Sequence, residues 1–115
     1  MNTTIYHNPR CSKSRQTLQL LLDNEIEPAV VEYLKTPPSA TELEQILTQL
    51  GIEPRDLMRK KEVAYKENNL NDPALSRADL IAAMAEHPIL IERPIVTSNG
   101  KAAVGRPPEN VLEII

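Results

Sequence analysis

The sequence has few aromatic residues and only one cysteine. Its 115 residues include three Tyr, no Phe and no Trp, so aliphatic side chains must form nearly all of the hydrophobic core. A single cysteine excludes both an intramolecular disulfide and a cysteine-rich metal site. The sequence also contains neither a phosphate-binding loop nor a dinucleotide-binding fingerprint. We therefore expect no bound metal and no bound cofactor.

Long hydrophobic runs and a strong excess of charge are also missing. No apolar run approaches the roughly 20 residues of a membrane span, and the first residues lack the basic and then apolar pattern of a signal peptide. A net charge of −3 argues against a general nucleic-acid surface. We expect one domain over residues 1–115, located in the cytoplasm, where an exposed thiol stays reduced.

The first part of the chain alternates between strand and helix patterns. Residues 3–7 are rich in β-branched side chains and predict a strand. Apolar spacing predicts a helix over 12–23, with Leu18, Leu21 and Leu22 on one apolar face. A second strand is predicted over 29–34. Because a helix connects these two strands, the order favours a parallel pair.

Serines mark the starts of two further helices. Ser39 and a glutamate three residues later form a capping box, before a helix that ends at Gly51. Residues 53–75 are polar and basic and predict a broken helical insertion. Ser76 then caps another helix, which stops at His87-Pro88.

The last part of the chain predicts a hairpin followed by a helix. Residues 89–97 and 101–104 resemble strands and flank Asn99-Gly100, which is the strongest short hairpin signal. A final helix is predicted over 109–115. The whole pattern predicts an α/β fold with a mixed sheet of about four strands and an inserted helical region.

The only cysteine lies between the first predicted strand and the first predicted helix. Residues 7–15 (HNPRCSKSR) contain four basic or imidazole side chains and no aliphatic one. Unpartnered N–H groups and the positive end of the helix dipole favour both a thiolate and a bound oxyanion there. A lone cysteine is often an inert core residue. This polar, electropositive setting instead predicts a functional Cys11 whose pKa lies below the usual value of about 8.5.

Other candidate residues lie in or near predicted loops. Arg59, Arg93 and Arg106 carry guanidinium groups suited to tetrahedral oxyanions, although a single exposed arginine is usually only a solvated charge. The sequence by itself does not bring these three together. His7 either tunes the thiol or simply ends a strand. Pro94 is either an edge-strand residue or follows a cis peptide bond.

Four motifs give the chain a resemblance to a known family. They occur in order at residues 7–15, 57–60, 91–96 and 105–107. Together they resemble the ArsC family, the glutaredoxin-dependent arsenate reductases, and in particular its short YfgD-like branch. The similarity covers essentially the whole chain. It implies a thioredoxin-like (glutaredoxin-like) fold with an inserted helical region.

The resemblance also implies roles for particular residues. Cys11 would be the catalytic nucleophile, and His7 and Ser14 would tune the thiol. Pro94 would be the cis-proline that such folds place beside the active cysteine. The three oxyanion-binding arginines of the family fall on Arg59, Arg93 and Arg106.

The activity implied by the resemblance is the reduction of arsenate to arsenite. Cys11 would attack arsenic(V), glutathione would react with the adduct, and glutaredoxin would clear the resulting mixed disulfide. The single cysteine fits this scheme, because the resolving thiol must then come from outside the chain. One departure is Ser12-Lys13, where the plasmid-borne reductases carry Gly-Thr.

Three other functions compete with this one. A general glutathione-linked thiol–disulfide oxidoreductase would turn over without arsenate. An Spx-like regulator that binds RNA polymerase usually carries Cys-x-x-Cys, whereas the third residue after Cys11 is Ser14. An α/β adaptor with a vestigial site would be unaffected by Cys11→Ser.

Overall fold

The strands of this protein come from two segments that are far apart in the sequence. A computed structural model describes residues 2–115, and the chain divides into two units. The sheet unit comprises the residues up to Thr36 together with Arg93–Ile115, and the helical unit comprises Pro37–Glu92. The single-domain organisation over residues 1–115 stays a prediction.

The sheet unit contains four strands in the order β2–β1–β3–β4. Their bounds are Thr3–His7 for β1, Ala29–Glu32 for β2, Ile95–Ser98 for β3 and Lys101–Val104 for β4. β1 and β2 are parallel, whereas β3 is antiparallel to both β1 and β4. Helix α1 (Ser12–Asp23) connects the parallel pair. The predicted α/β class with a mixed sheet of about four strands is therefore confirmed.

The strand register brings three chain segments to one edge of the sheet. Tyr6, near the end of β1, pairs with Ile95 at the start of β3. Ile95 also pairs with Val104 at the end of β4. The loop after β1, the residues before β3 and the residues after β4 therefore lie at the same edge. These segments carry Cys11, Arg93 and Arg106.

The core of the sheet unit is aliphatic, as the composition predicts. Its fully buried cluster consists of Ile5, Leu21, Val96 and Val111. Helix α1 buries Ser14, Thr17 and Leu21 against this unit, while Leu22 is 45% exposed. The prediction that Leu22 faces the core is therefore wrong. The buried face of α1 includes two hydroxyl side chains instead, and both make hydrogen bonds described below.

The helical unit follows β2 in the sequence. Its α-helices are α2 (Ala40–Leu50), α3 (Val63–Glu67) and α4 (Arg77–Glu86). Ser39 forms the predicted capping box, and Ser76, predicted as a helix cap, forms one as well, because each side chain accepts a backbone N–H three residues later. Gly51 is the C-cap residue of α2, and its φ of 68° lies in the left-handed region that favours glycine. The predicted broken helical insertion is observed here, with a 3₁₀ turn at Pro54–Leu57 before the short helix α3.

Three predicted boundaries or helix types differ from the structure. The strand predicted over 89–97 begins only at Ile95, because Pro88–Leu90 forms a 3₁₀ helix in which proline needs no N–H partner. The last helix is also 3₁₀, over Pro108–Ile114, and the N–H of Asn110 bonds the carbonyl of Pro107 at 3.1 Å. The second strand ends at Glu32, because the chain turns there and Lys35 N–H bonds back to its carbonyl at 2.9 Å.

Candidate active site

The loop between β1 and α1 places Cys11 at the start of the helix. The backbone N–H of Cys11 bonds the carbonyl of Asn8 at 3.0 Å, and the Asn8 side chain accepts the N–H of Arg10 at 3.0 Å. Cys11 is the N-cap residue of α1 and has an extended backbone. The N–H groups of the first turn are thus directed toward the region of the thiol, where an anion would be stabilised.

The thiol of Cys11 is nearly buried, with 9% of the residue exposed. Burial by itself raises the pKa of this thiol. The backbone N–H of Ser14, the charge of Arg93, the backbone N–H of Lys13 and the charge of Arg106 together outweigh burial, so the pKa of Cys11 lies below its ordinary value. The sequence predicts the same lowering of the pKa, which favours the nucleophilic thiolate.

Two of the three candidate arginines act on Cys11. Arg106 donates a hydrogen bond from Nη2 to Cys11 Sγ at 3.6 Å, and its Nε donates to the carbonyl oxygen of Arg93 at 2.7 Å. The charge of Arg93 also favours the thiolate and lowers the pKa of Cys11. The register of β1, β3 and β4 explains this proximity, which the sequence could not supply.

Arg59 belongs to the helical unit. Its backbone N–H bonds the carbonyl of Leu90 at 2.7 Å, and its guanidinium forms an ion pair with Glu62 at 3.5 Å. Its proposed role as an oxyanion ligand stays a prediction that rests on the family resemblance.

His7 and Ser14 are joined by a short buried hydrogen bond. Nδ1 of His7 lies 2.6 Å from Oγ of Ser14, which also accepts the backbone N–H of Asn8 at 3.0 Å. Burial lowers the pKa of His7, the Glu32 carboxylate raises it and the charge of Arg15 lowers it further. The pKa of His7 therefore lies below the ordinary histidine value. Neutral His7 can accept a hydrogen bond from the Ser14 hydroxyl at Nδ1. This bond holds the first turn of α1, whose Ser14 N–H stabilises the thiolate.

Pro94 and Gly105 lie beside the start of α1. The peptide bonds preceding Pro94 and Pro107 are both cis, and the N–H of Gly105 bonds the carbonyl of Pro94 at 2.9 Å. A Cβ on Gly105 would lie 2.5 Å from Thr17 Oγ1 and 2.8 Å from Pro94 Cγ. Only glycine therefore fits at this position without movement of its neighbours.

Thr17 is a residue that the sequence analysis did not identify. It is fully buried, and its hydroxyl donates to the carbonyl of Lys13 at 2.8 Å and approaches the carbonyl of Gly105 at 3.5 Å. The hydroxyl thus connects the first turn of α1 to the segment that carries Arg106. The signal was present in the sequence, because Ser14, Thr17 and Leu21 share one helical face. Two hydroxyls on a core-facing stripe indicate polar partners in the interior.

Comparison with known proteins supports the motif resemblance. A profile described as the ArsC family matches residues 6–114. The chain belongs to the ArsC family. The thioredoxin-like α/β fold implied by the resemblance is accordingly confirmed for this ArsC-family protein.

Individual ArsC-family relatives cover almost the whole chain. The uncharacterized protein YfgD of Escherichia coli strain K12 is 60% identical over 112 residues, which span 96% of this chain and 94% of that protein. The arsenate reductase of Neisseria meningitidis serogroup A is 52% identical and covers 96% of both chains. Among solved structures, the arsenate reductase from Vibrio cholerae superposes with a TM-score of 0.97 at 59% identity, covering 100% of this chain and 98% of that one.

Within residues 2–115, no three His, Cys, Asp or Glu side chains group in a way that could hold a metal ion. No helix in the same part of this ArsC-family chain combines the length and apolar character needed to cross a bilayer.

Proposed function

We propose that this protein is an arsenate reductase in which Cys11 is the nucleophile. The observation that carries the proposal is the 3.6 Å approach of the Arg106 guanidinium to Cys11 Sγ at a helix start. A thiol that is nearly buried yet has a lowered pKa is suited to nucleophilic attack. Two proteins named arsenate reductase support arsenate as the substrate: a relative that is 52% identical in sequence, and a protein of solved structure that is 59% identical in sequence.

The first step is the attack of the Cys11 thiolate on arsenic(V). A sulfur–arsenic bond forms, and one arsenate oxygen leaves as water after taking up protons. The N–H groups of Lys13 and Ser14 and the guanidinium groups of Arg93 and Arg106 balance the charge of the remaining oxygens. His7 and Ser14 keep the helix start in place through their 2.6 Å hydrogen bond.

The second half of the reaction requires thiols from outside the chain. Cys11 is the only cysteine in the sequence, so no internal disulfide can release the product. We propose glutathione as the thiol that reacts with the adduct, and glutaredoxin as the protein that clears the mixed disulfide on Cys11. These donors belong to a reducing cytoplasm, where we place the protein. The scheme needs no bound cofactor, because glutathione is consumed as a co-substrate.

The deciding experiment is a coupled assay that follows NADPH consumption with glutathione, glutaredoxin and glutathione reductase. We expect consumption that depends on arsenate and disappears in Cys11→Ser. Reactions without arsenate, or without glutaredoxin, give the background of the coupling system. A wild-type protein that consumes no NADPH with arsenate, while its thiol still reacts with glutathione mixed disulfides, would replace the proposal with general thiol–disulfide exchange.

A further inference from the structure

The side chains of two exposed cations that flank Cys11 have no part in the reaction steps above. Arg10 precedes the cysteine and Lys13 lies in the first turn of α1, and both side chains are exposed. No acidic residue occurs over 8–22. Neither side chain takes part in an ion pair with any residue from 2 to 115. Arg10 and Lys13, here called the outer cations, therefore carry solvent-exposed positive charges on either side of Cys11 in the sequence. The surface pocket that Arg10 lines also includes Glu32 and Lys35.

The outer cations are held in place by the backbone on both sides of Cys11. The N–H of Arg10 bonds the Asn8 side chain at 3.0 Å, and the Arg15 guanidinium bonds the carbonyl of Pro9 at 2.9 Å. Lys13 is tied to the interior, because its carbonyl accepts the buried Thr17 hydroxyl at 2.8 Å. The loop therefore carries the outer cations on a fixed backbone, even though their side chains reach into water.

The outer cations differ from the arginines that act on the thiol. The guanidinium charges that stabilise the Cys11 thiolate are those of Arg93 and Arg106, and the latter contacts Sγ directly. Exposed charges in water act on an approaching ion over several ångströms, up to about a Debye length of ~8 Å at physiological salt. The position of Arg10 and Lys13 suits them to act on a molecule that approaches Cys11 from solvent.

We propose that Arg10 and Lys13 recruit an anionic thiol, meaning a small thiol that carries free carboxylates, to the Cys11 adduct. The inference rests on the proposed function, since it assigns the charge class of the thiol that completes the same reaction. Arginine and lysine form charge-assisted hydrogen bonds with carboxylates, and the arginine pair can be bidentate.

The step served by this recruitment is a two-electron transfer. The thiolate of the incoming molecule attacks Cys11 sulfur and forms a sulfur–sulfur bond. The electron pair of the sulfur–arsenic bond passes to arsenic, which is reduced from arsenic(V) to arsenic(III) and leaves as arsenite after taking up protons. The two sulfurs are oxidised to the mixed disulfide, which a second thiol then reduces.

The test compares three thiols that differ in charge at matched thiolate concentration and saturating arsenate. In the attacking thiolate form, glutathione has a double net negative charge, 2-mercaptoethanol a single one and cysteamine no net charge. In the double variant Arg10→Gln, Lys13→Gln we expect the kcat/KM for glutathione to fall about five-fold, the effect of two unit charges acting through water. The kcat/KM for 2-mercaptoethanol should fall less, by no more than about two-fold, because its thiolate lacks carboxylates and carries only a single negative charge. Cysteamine, whose ammonium cancels the thiolate charge, should change least.

The matched control is Lys101→Gln, compared with the single variant Lys13→Gln. Lys101 is an exposed cation at the start of β4, at the opposite edge of the sheet from Cys11. We expect Lys101→Gln to leave all three thiols unchanged. The glutathione preference of the wild type should also shrink at about 1 M salt, where the Debye length is only ~3 Å. Equal slowing of all three thiols in the double variant, or no change with glutathione, would overturn the proposal.

A reaction without arsenate separates this proposal from the proposed function. Cys11 attacks dithiobis(nitrobenzoate), which is dianionic, and neutral dipyridyl disulfide, and each releases a coloured thiol. We expect the double variant to slow only the anionic reagent. If the double variant slows only the anionic reagent and the wild type shows no arsenate turnover, the reductase proposal is disproved, but the recruitment of anionic sulfur compounds stands. If the wild type turns over arsenate, but the double variant keeps the wild-type preferences among both disulfide reagents and all three thiols, the reductase proposal stands and the recruitment proposal is disproved.

Discussion

Arg106 donates a hydrogen bond to Cys11 Sγ at 3.6 Å, although the two residues are 95 positions apart in the sequence. The same guanidinium donates to the carbonyl oxygen of Arg93 at 2.7 Å. These two bonds hold the planar group of Arg106 between the thiol and the residue that precedes Pro94. The residues that follow β4 therefore stabilise the Cys11 thiolate together with the start of helix α1.

Replacement of Arg106 by Ala should raise the pKa of the Cys11 thiol. The guanidinium charge and its hydrogen bond favour the thiolate, so their loss favours the protonated form. A pH series of iodoacetamide alkylation measures the midpoint, which we expect at higher pH in Arg106→Ala. Lys101→Ala, with its cation at the other edge of the sheet, is the control. An unchanged midpoint in Arg106→Ala would mean that the contact does not influence the thiol.

Replacement of Arg93 should weaken arsenate binding more than replacement of Arg10. Arg93 acts on the thiol through its charge, whereas Arg10 is exposed to solvent on the loop. A charged hydrogen bond to an oxyanion contributes about 1.5–3 kcal/mol, so we expect Arg93→Ala to raise the KM for arsenate about tenfold or more. Arg10→Ala should raise it far less when the thiol donor is saturating. Equal effects of the two substitutions would remove Arg93 from the oxyanion site.

Replacement of Gly105 by Ala should destabilise the fold by about 1–3 kcal/mol, the usual cost of overpacking. The added Cβ would lie 2.5 Å from Thr17 Oγ1 and 2.8 Å from Pro94 Cγ. Urea denaturation measures the free energy of unfolding. Thr17→Ala removes the nearer obstacle, so the cost of Gly105→Ala should be smaller in a Thr17→Ala background. The same cost in both backgrounds would show that the clash is relieved elsewhere.

His7 should make the fold less stable in mild acid. Its pKa is lowered in the folded state, mainly by burial. The imidazole of His7 is therefore protonated in the unfolded chain near pH ~6.5, while it is still neutral in the folded chain. The stability that neutral, buried His7 contributes is present above that pH and is lost as the pH falls toward the folded pKa. We expect the free energy of unfolding to decline less steeply between pH ~7 and ~5 in His7→Asn than in the wild type.

The second histidine provides the control for this measurement. The sequence contains only His7 and His87, and His87 ends helix α4 as its C-cap residue. His87→Asn should retain the acid decline of the wild type. An identical decline in wild type and His7→Asn would show that His7 titrates in the same way in the folded and unfolded chains.

Local signals in the sequence were sufficient for much of the secondary structure. The bounds predicted for α1, 12–23, agree with the observed helix Ser12–Asp23. The capping serines and the hairpin at Asn99-Gly100 were also predicted, and both turn residues have positive φ, as the hairpin signal requires. These features depend on neighbours within a few residues. The strand predicted from residue 89 was wrong because a proline-initiated 3₁₀ turn precedes Ile95.

The sequence by itself determined that the only cysteine lies in a basic, non-aliphatic loop at a helix start, and that strand and helix patterns alternate around it. Only the tertiary structure decided that Arg93 and Arg106 act on Cys11, and that Ser14 and Thr17 are buried. The physical reason is the strand register. The pairing of β3 with both β1 and β4 brings residues about 90 positions apart in sequence to one sheet edge, and no local pattern encodes that pairing.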